Sequence, residues 1–173
     1  GGVGKTTLYQ AVYKEVRKKS HFDETAWICV SQTFSINDLL RKILKELGCN
    51  SRASCNISNT DYRSLMEAVQ GHLFQRRYLV VLDDIWDPHL WGKILNFPWF
   101  APGSRVVITT RDDETAKAAT RERIMRLEPL QLSEAWTLFC SIAFRDVNRT
   151  CPSDLEELAS QVLDYAGGLP LAL

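Results

Sequence analysis

Three short segments of this sequence carry side chains whose types and spacing suit the handling of phosphate. The chain opens Gly1-Gly2-Val3-Gly4-Lys5-Thr6-Thr7, and Gly1 to Thr6 match the last six positions of the pattern G-x-x-x-x-G-K-[ST]. Glycines there let the backbone turn so that its N–H groups converge on phosphate oxygens, and the helix that follows aims its positive end at the same place. Lys5 supplies a mobile positive charge for the β- and γ-phosphates, and the Thr6 hydroxyl is a magnesium ligand. Alone, Gly4-Lys5-Thr6 is a weak signal, and a plain glycine turn entering a helix explains it better.

The second segment changes that balance. Tyr78-Leu79-Val80-Val81-Leu82 is apolar at every position and ends in Asp83-Asp84. A carboxylate at the carboxyl end of a parallel strand faces the crevice where ligands bind. Near a phosphate loop it can hold Mg²⁺, usually through water, and Asp83 is read in that role. Asp84 is then placed to orient or deprotonate a water near the γ-phosphate; the competing reading is two acids that merely make a turn. In the third segment, Val106-Val107-Ile108 runs into Thr109-Thr110-Arg111. An arginine at that edge can sense a γ-phosphate by a charge-assisted hydrogen bond. Spacing alone leaves this level with a solvated arginine leading into Asp112-Asp113-Glu114.

The elements that must position these groups alternate along the chain. Leu8, Ala11, Val12 and Val16 predict a helix running from the glycine turn, and Ala26-Trp27-Ile28-Cys29-Val30 predicts a strand. Ser35-x-x-Asp38 reads as a capping box before Ile36, Leu39, Leu40, Ile43, Leu44 and Leu47 at helical spacing, with Gly48 as the stop. Residues 48–60 are polar and aperiodic, a surface loop. Asp61 then caps a helix bearing Tyr62, Leu65, Met66, Val69 and Leu73. The apolar runs at 78–82 and 106–108 read as strands buried on both faces, and Ile124–Leu127 as an edge strand. Strands separated by helices predict an α/β doubly wound parallel sheet. After Pro129 the alternation stops. Ala135, Leu138, Phe139 and Ile142 follow Ser133, and Ser153-x-x-Glu156 opens a helix closed by Gly167-Gly168. Residues 1–128 are therefore read as a nucleotide-binding domain, and 129–173 as the start of a helical one.

Composition narrows the function classes. The 173 residues are 45% hydrophobic and 24% charged, enough to bury a core. The 21 basic and 21 acidic residues cancel. Short basic clusters such as Arg17-Lys18-Lys19, Arg76-Arg77, and Arg121 with Arg123 are diluted by acids, which argues against a nucleic-acid partner. Five cysteines without a C-x-x-C pair or a histidine at ligand spacing argue for reduced thiols in the cytoplasm and against zinc. No apolar run has the length of a membrane span.

Taken in order, the motifs resemble a known family. Gly2-Val3-Gly4-Lys5-Thr6-Thr7 is followed by Phe22-Asp23, Ala26-Trp27-Ile28-Cys29-Val30-Ser31-Gln32 and Leu79-Val80-Val81-Leu82-Asp83-Asp84-Ile85-Trp86. Gly103-Ser104-Arg105 through Thr109-Thr110-Arg111, Glu134-Ala135-Trp136 with Leu138-Phe139, and Gly168-Leu169-Pro170-Leu171 complete the set. This order is similar to the NB-ARC domain of plant disease-resistance proteins. Trp86 and the Ala-Trp-Ile-Cys-Val-Ser-Gln segment resemble the coiled-coil class, not the class bearing a Toll/interleukin-receptor domain.

The resemblance implies more than spacing does. It implies a P-loop NTPase fold followed by the start of a helical ARC subdomain. It also implies a switch closed by ADP and opened by exchange for ATP, with Mg²⁺, leading to self-oligomerisation, defence and local cell death. Carried over, Lys5, Thr6 and Thr7, with the Gly2-Val3-Gly4 turn, contact the phosphates, and Asp83 holds the magnesium. Arg111 contacts the γ-phosphate, and Pro170 packs near the nucleotide. Partners would be the coiled coil and leucine-rich repeats of the same receptor, and turnover at most that of a slow ATPase. A steady-turnover ATPase or a degenerate, non-signalling copy are the competing classes. The family pattern also expects a strand before the glycine turn and further helical parts after Leu171. On that expectation, this stretch alone folds poorly.

Overall fold

The computed structural model describes residues 1–31, 35–49, 61–95, 101–119, 123–146 and 148–173, with side chains 90, 91 and 95 excepted. Gln32, Arg121, Cys55 and residues 50–60 of the expected surface loop lie outside them. The described elements are α1 (Lys5–Lys18), β1 (Glu24–Cys29), α2 (Ile36–Glu46), α3 (Tyr62–Leu73), β2 (Tyr78–Ile85), α4 (Pro88–Leu95), β3 (Arg105–Thr110), α5 (Asp113–Ala119), α6 (Leu132–Ala143) and α7 (Glu156–Ala166), followed by a 3-10 turn at Pro170–Ala172. They form two compact units. One comprises Gly1–Leu8 with Met125–Leu173, the other Tyr9–Ile124.

The larger unit is built on a parallel sheet of order β1-β2-β3, so the α/β expectation is met. β2 is the central strand, and this is why its sequence is apolar without alternation: Tyr78 to Asp83 are all buried. Ala26 pairs with Val80 on one side, and Val80 with Val106 on the other. Val106 and Val107 are only half-buried, because β3 has a sheet neighbour on one side only among the described residues. Helix α2 covers the sheet with Leu39, Leu40, Ile43 and Leu44, and α3 adds Leu65, Val69 and Leu73. The Ser35 capping box forms as its sequence implies: the Asp38 N–H donates to Ser35 Oγ at 3.1 Å, and the Asp38 carboxylate accepts from the Ser35 N–H and hydroxyl. Gly48 ends this helix with φ +71°, a conformation that glycine enters without strain.

Three local expectations are corrected. Residues 124–127 form no strand, because no described strand offers them a ladder beyond β3. Ser153 does not cap α7. The Leu155 N–H is bonded to the Pro152 carbonyl in a preceding turn, and the helix starts only at Glu156. In α6 the cap is Gln131, one turn being closed by its N–H to Glu134 Oε2 at 3.0 Å, with Ser133 already inside the helix.

In the smaller unit, Cys140, Cys151 and Ala159 form a buried cluster lined by Trp136, Phe139 and Phe144. Phe139 and Phe144 meet edge to face at 5.9 Å. The described cysteines, Cys29, Cys49, Cys140 and Cys151, are free thiols. Among the described residues no helix is long and apolar enough to cross a membrane.

Candidate functional site

The glycine turn has the backbone its sequence calls for. Gly2 and Gly4 sit at φ +86° and +87°, where L side chains are strained. Val3 lies between them, and α1 begins at Lys5, so the turn leads straight into the N-terminal end of a helix. This is the geometry that receives an anion at a helix N-terminus. Lys5 is half-buried, while Thr6 and Thr7 are exposed.

The chain's last segment packs on that turn. The Leu171 N–H donates to the Gly2 carbonyl at 3.2 Å. A Cβ placed on Gly2 would lie 3.4 Å from Leu171 Cβ, and one on Gly4 would lie 3.9 Å from Pro170 Cγ. The segment is itself pinned, since Leu130 N–H donates to the Gly168 carbonyl at 2.7 Å. Gly168 has φ +72°, and a Cβ there would stand 2.3 Å from the Leu130 carbonyl oxygen. Gly167-Gly168 is thus a helix stop at Gly167, followed by a contact that only glycine permits.

In the larger unit, Asp83, Asp84 and Arg111 are brought together at the carboxyl ends of β2 and β3. The ladder places Leu82 opposite Ile108 and Ile85 opposite Thr110, so Asp83 and Asp84 both face Thr109. That is a bulge, and it leaves backbone groups without ladder partners. The Thr109 hydroxyl bridges the bulge: it accepts from the Asp84 N–H at 2.8 Å and donates to the Asp83 side-chain Oδ1 at 2.5 Å. Asp83 and Thr109 are buried. Asp84 is held at φ +62°, a left-handed conformation that aspartate tolerates better than most side chains. The Asp84 carboxylate then meets Arg111, Nε to Oδ1 at 3.2 Å and Nη2 to Oδ2 at 3.3 Å. The same guanidinium lies over the Trp86 ring, 4.7 Å from its centroid.

Thr109 and Trp86 contact the candidate site residues, and sequence reasoning gave neither a role. The first carries no signal until the bulge register is known. The second was legible only as a family marker. Among the described residues, no three His, Cys, Asp or Glu side chains cluster as a metal cage. A magnesium ion shared between one carboxylate and nucleotide phosphates needs none, so a buried, hydroxyl-oriented Asp83 suits that donor set. Thr6 and Pro170 belong to one unit, and Asp83, Asp84 and Arg111 to the other.

A model of the NB-ARC domain family matches residues 1–149. The whole chain aligns at 35% identity with disease resistance RPP13-like protein 4 and with disease resistance protein RPM1, and at 34% with disease resistance protein RPP13, all of Arabidopsis thaliana. It spans 20%, 19% and 21% of their lengths respectively, about a fifth of each. Among solved structures, the ORC2 protein of Aeropyrum pernix shares the fold with TM-score 0.63 and 18% identity, over 99% of this chain and 50% of that one.

Proposed function

The chain belongs to the NB-ARC domain family, and from that premise we propose that it is the ADP- and ATP-binding switch of a plant immune receptor. In this reading the glycine turn Gly2–Gly4 with Lys5, Thr6 and Thr7 holds the phosphates. Asp83, with the Thr6 hydroxyl, holds Mg²⁺, and Arg111 addresses the γ-phosphate. Asp84 follows Asp83 at the β2 bulge and pairs with Arg111. Bound Mg²⁺ would neutralise phosphate charge. The solved ORC2 structure is described as ADPNP and ADP complexes, which supports a nucleotide in this fold.

One observation carries the switch reading in particular. The Leu171 N–H is bonded to the Gly2 carbonyl, and Pro170 lies against Gly4. Any nucleotide seated on the turn therefore bears on the backbone that anchors the C-terminal helical segment, and a change of phosphate occupancy is felt there. A ligand shifts a two-state equilibrium only by its differential affinity for the two states. The γ-phosphate is the one chemical difference between ATP and ADP, so the group that touches it must supply most of the discrimination. The receptor that contains this chain is placed in the cytoplasm, with its remaining domains and a second ATP-bound copy as partners. The test is limited proteolysis of the full-length protein with ADP and with ATP. The reading expects two distinct cleavage patterns after Leu169, and identical patterns at saturating nucleotide would refute it.

A further inference from the structure

Arg111 does not stand alone at the strand edge. Its side edge, Nε with Nη2, is engaged by both oxygens of Asp84. Its plane is over Trp86. Side-on pairing fixes the guanidinium in two directions, and the ring face fixes the third. Nη1 takes no part in the Asp84 pairing. Asp84 is itself held, since its backbone N–H is bonded to Thr109 Oγ1 and its φ of +62° aims the carboxylate out of the strand. Trp86 is 38% exposed, so its ring serves the arginine more than the core.

We propose that Trp86 and Asp84 are positioning residues that act through Arg111, holding its guanidinium so that the Nη1 end meets the terminal phosphate of ATP. A carboxylate committed to a bidentate arginine pair is fixed in direction, with one lone pair of each oxygen engaged. Asp84 therefore acts on which nucleotide is preferred, through Arg111. Trp86 sets how sharply it is preferred. This rests on the sensor role given to Arg111 above.

The experiment is an equilibrium titration of the full-length protein with ADP and with ATP in excess Mg²⁺, using Trp86→Leu, Trp86→Phe, Asp84→Asn and Arg111→Ala. Trp86→Leu keeps an apolar side chain and removes the ring face. The expected result is an ATP-to-ADP preference narrowed by about three- to tenfold, with ADP affinity within about twofold of the parent. Trp86→Phe restores most of the preference, which a merely structural role would not require. Asp84→Asn narrows it in the same direction. If Trp86→Leu leaves the preference within about twofold while Arg111→Ala narrows it, positioning by Trp86 is wrong and the sensor stands. A rise in ATP preference for Asp84→Asn would mean that Asp84 competes with phosphate for Arg111, and overturns its positioning role. If Arg111→Ala itself changes nothing, the sensor assignment fails first.

Discussion

The Thr109 hydroxyl donates to Oδ1 of Asp83 at 2.5 Å, and Thr109 Oγ1 accepts from the Asp84 N–H at 2.8 Å. One side chain on β3 thereby closes a bulge on β2 and fixes the carboxylate assigned to magnesium. Thr109→Val keeps the shape and removes both bonds at a buried site. The expected cost is about 1–3 kcal/mol of stability, read as a lower urea midpoint, with Thr109→Ser recovering most of it. A valine variant as stable as the parent would show that the bridge is incidental.

Gly167 and Gly168 separate conformational from steric cost. Both have positive φ, but a Cβ on Gly167 meets nothing within 4 Å, while one on Gly168 would stand 2.3 Å from the Leu130 carbonyl. Gly167→Ala is expected to cost about 1–2 kcal/mol for left-handed backbone alone. Gly168→Ala must also break the Leu130 contact and lower the melting temperature further. Equal melting temperatures for the two variants would contradict the packing of this segment.

Two helix starts should weaken in acid. Ser35 hydrogen bonds, helped by Arg41, hold the Asp38 carboxyl below its usual value of 3.8, and Thr115 does the same for Asp112. Both folded-state values are depressed, so their stabilisation is complete above the ordinary carboxylate range. It is lost as pH falls through the lowered values. Hydrogen exchange at the first turns of α2 and α5 should quicken below pH 3.8 in the parent. Asp38→Asn and Asp112→Asn should flatten that acid response at their own helix, and an unchanged response would remove these carboxylates as its source.

The fold was legible where burial is dictated by one element's place. Leu79–Leu82 is apolar throughout because β2 is central, and the stripe of α2 is buried almost position for position. Legibility failed where a pattern needs a neighbour. α1 buries none of its residues, with Leu8 43% and Val12 48% exposed, although its spacing is amphipathic. Tyr13 meets Trp27 edge to face. In α7, Ala159, Leu163 and Ala166 are buried while Leu158 is exposed, so the residues that read as the core face are only partly so.

That the aspartates and the arginine lie at the carboxyl ends of β2 and β3 was legible in the sequence, because the strands themselves were. What the sequence could not show was the pairing among them. The Asp84–Arg111 contact depends on a left-handed residue and a shift of register, neither of which has a periodic signature. The packing of Pro170 on Gly4 likewise joins residues at opposite ends of the chain.

Arg111→Ala should narrow the discrimination between ATP and ADP more than it lowers total affinity, since the proposed contact is with the γ-phosphate. Competition of the two nucleotides on the full-length protein reads this directly. Discrimination that stays at the parent value would end the sensor role.

Calorimetric titration of the full-length protein with Mg-ADP and Mg-ATP, parent against Lys5→Ala, bears most directly on the claim that the glycine turn holds a nucleotide. The account predicts that the parent binds both and that the alanine variant loses at least about tenfold, or 1.4 kcal/mol, toward each alike. A parent that ignores both nucleotides, or a Lys5→Ala variant that binds them as tightly, would contradict it.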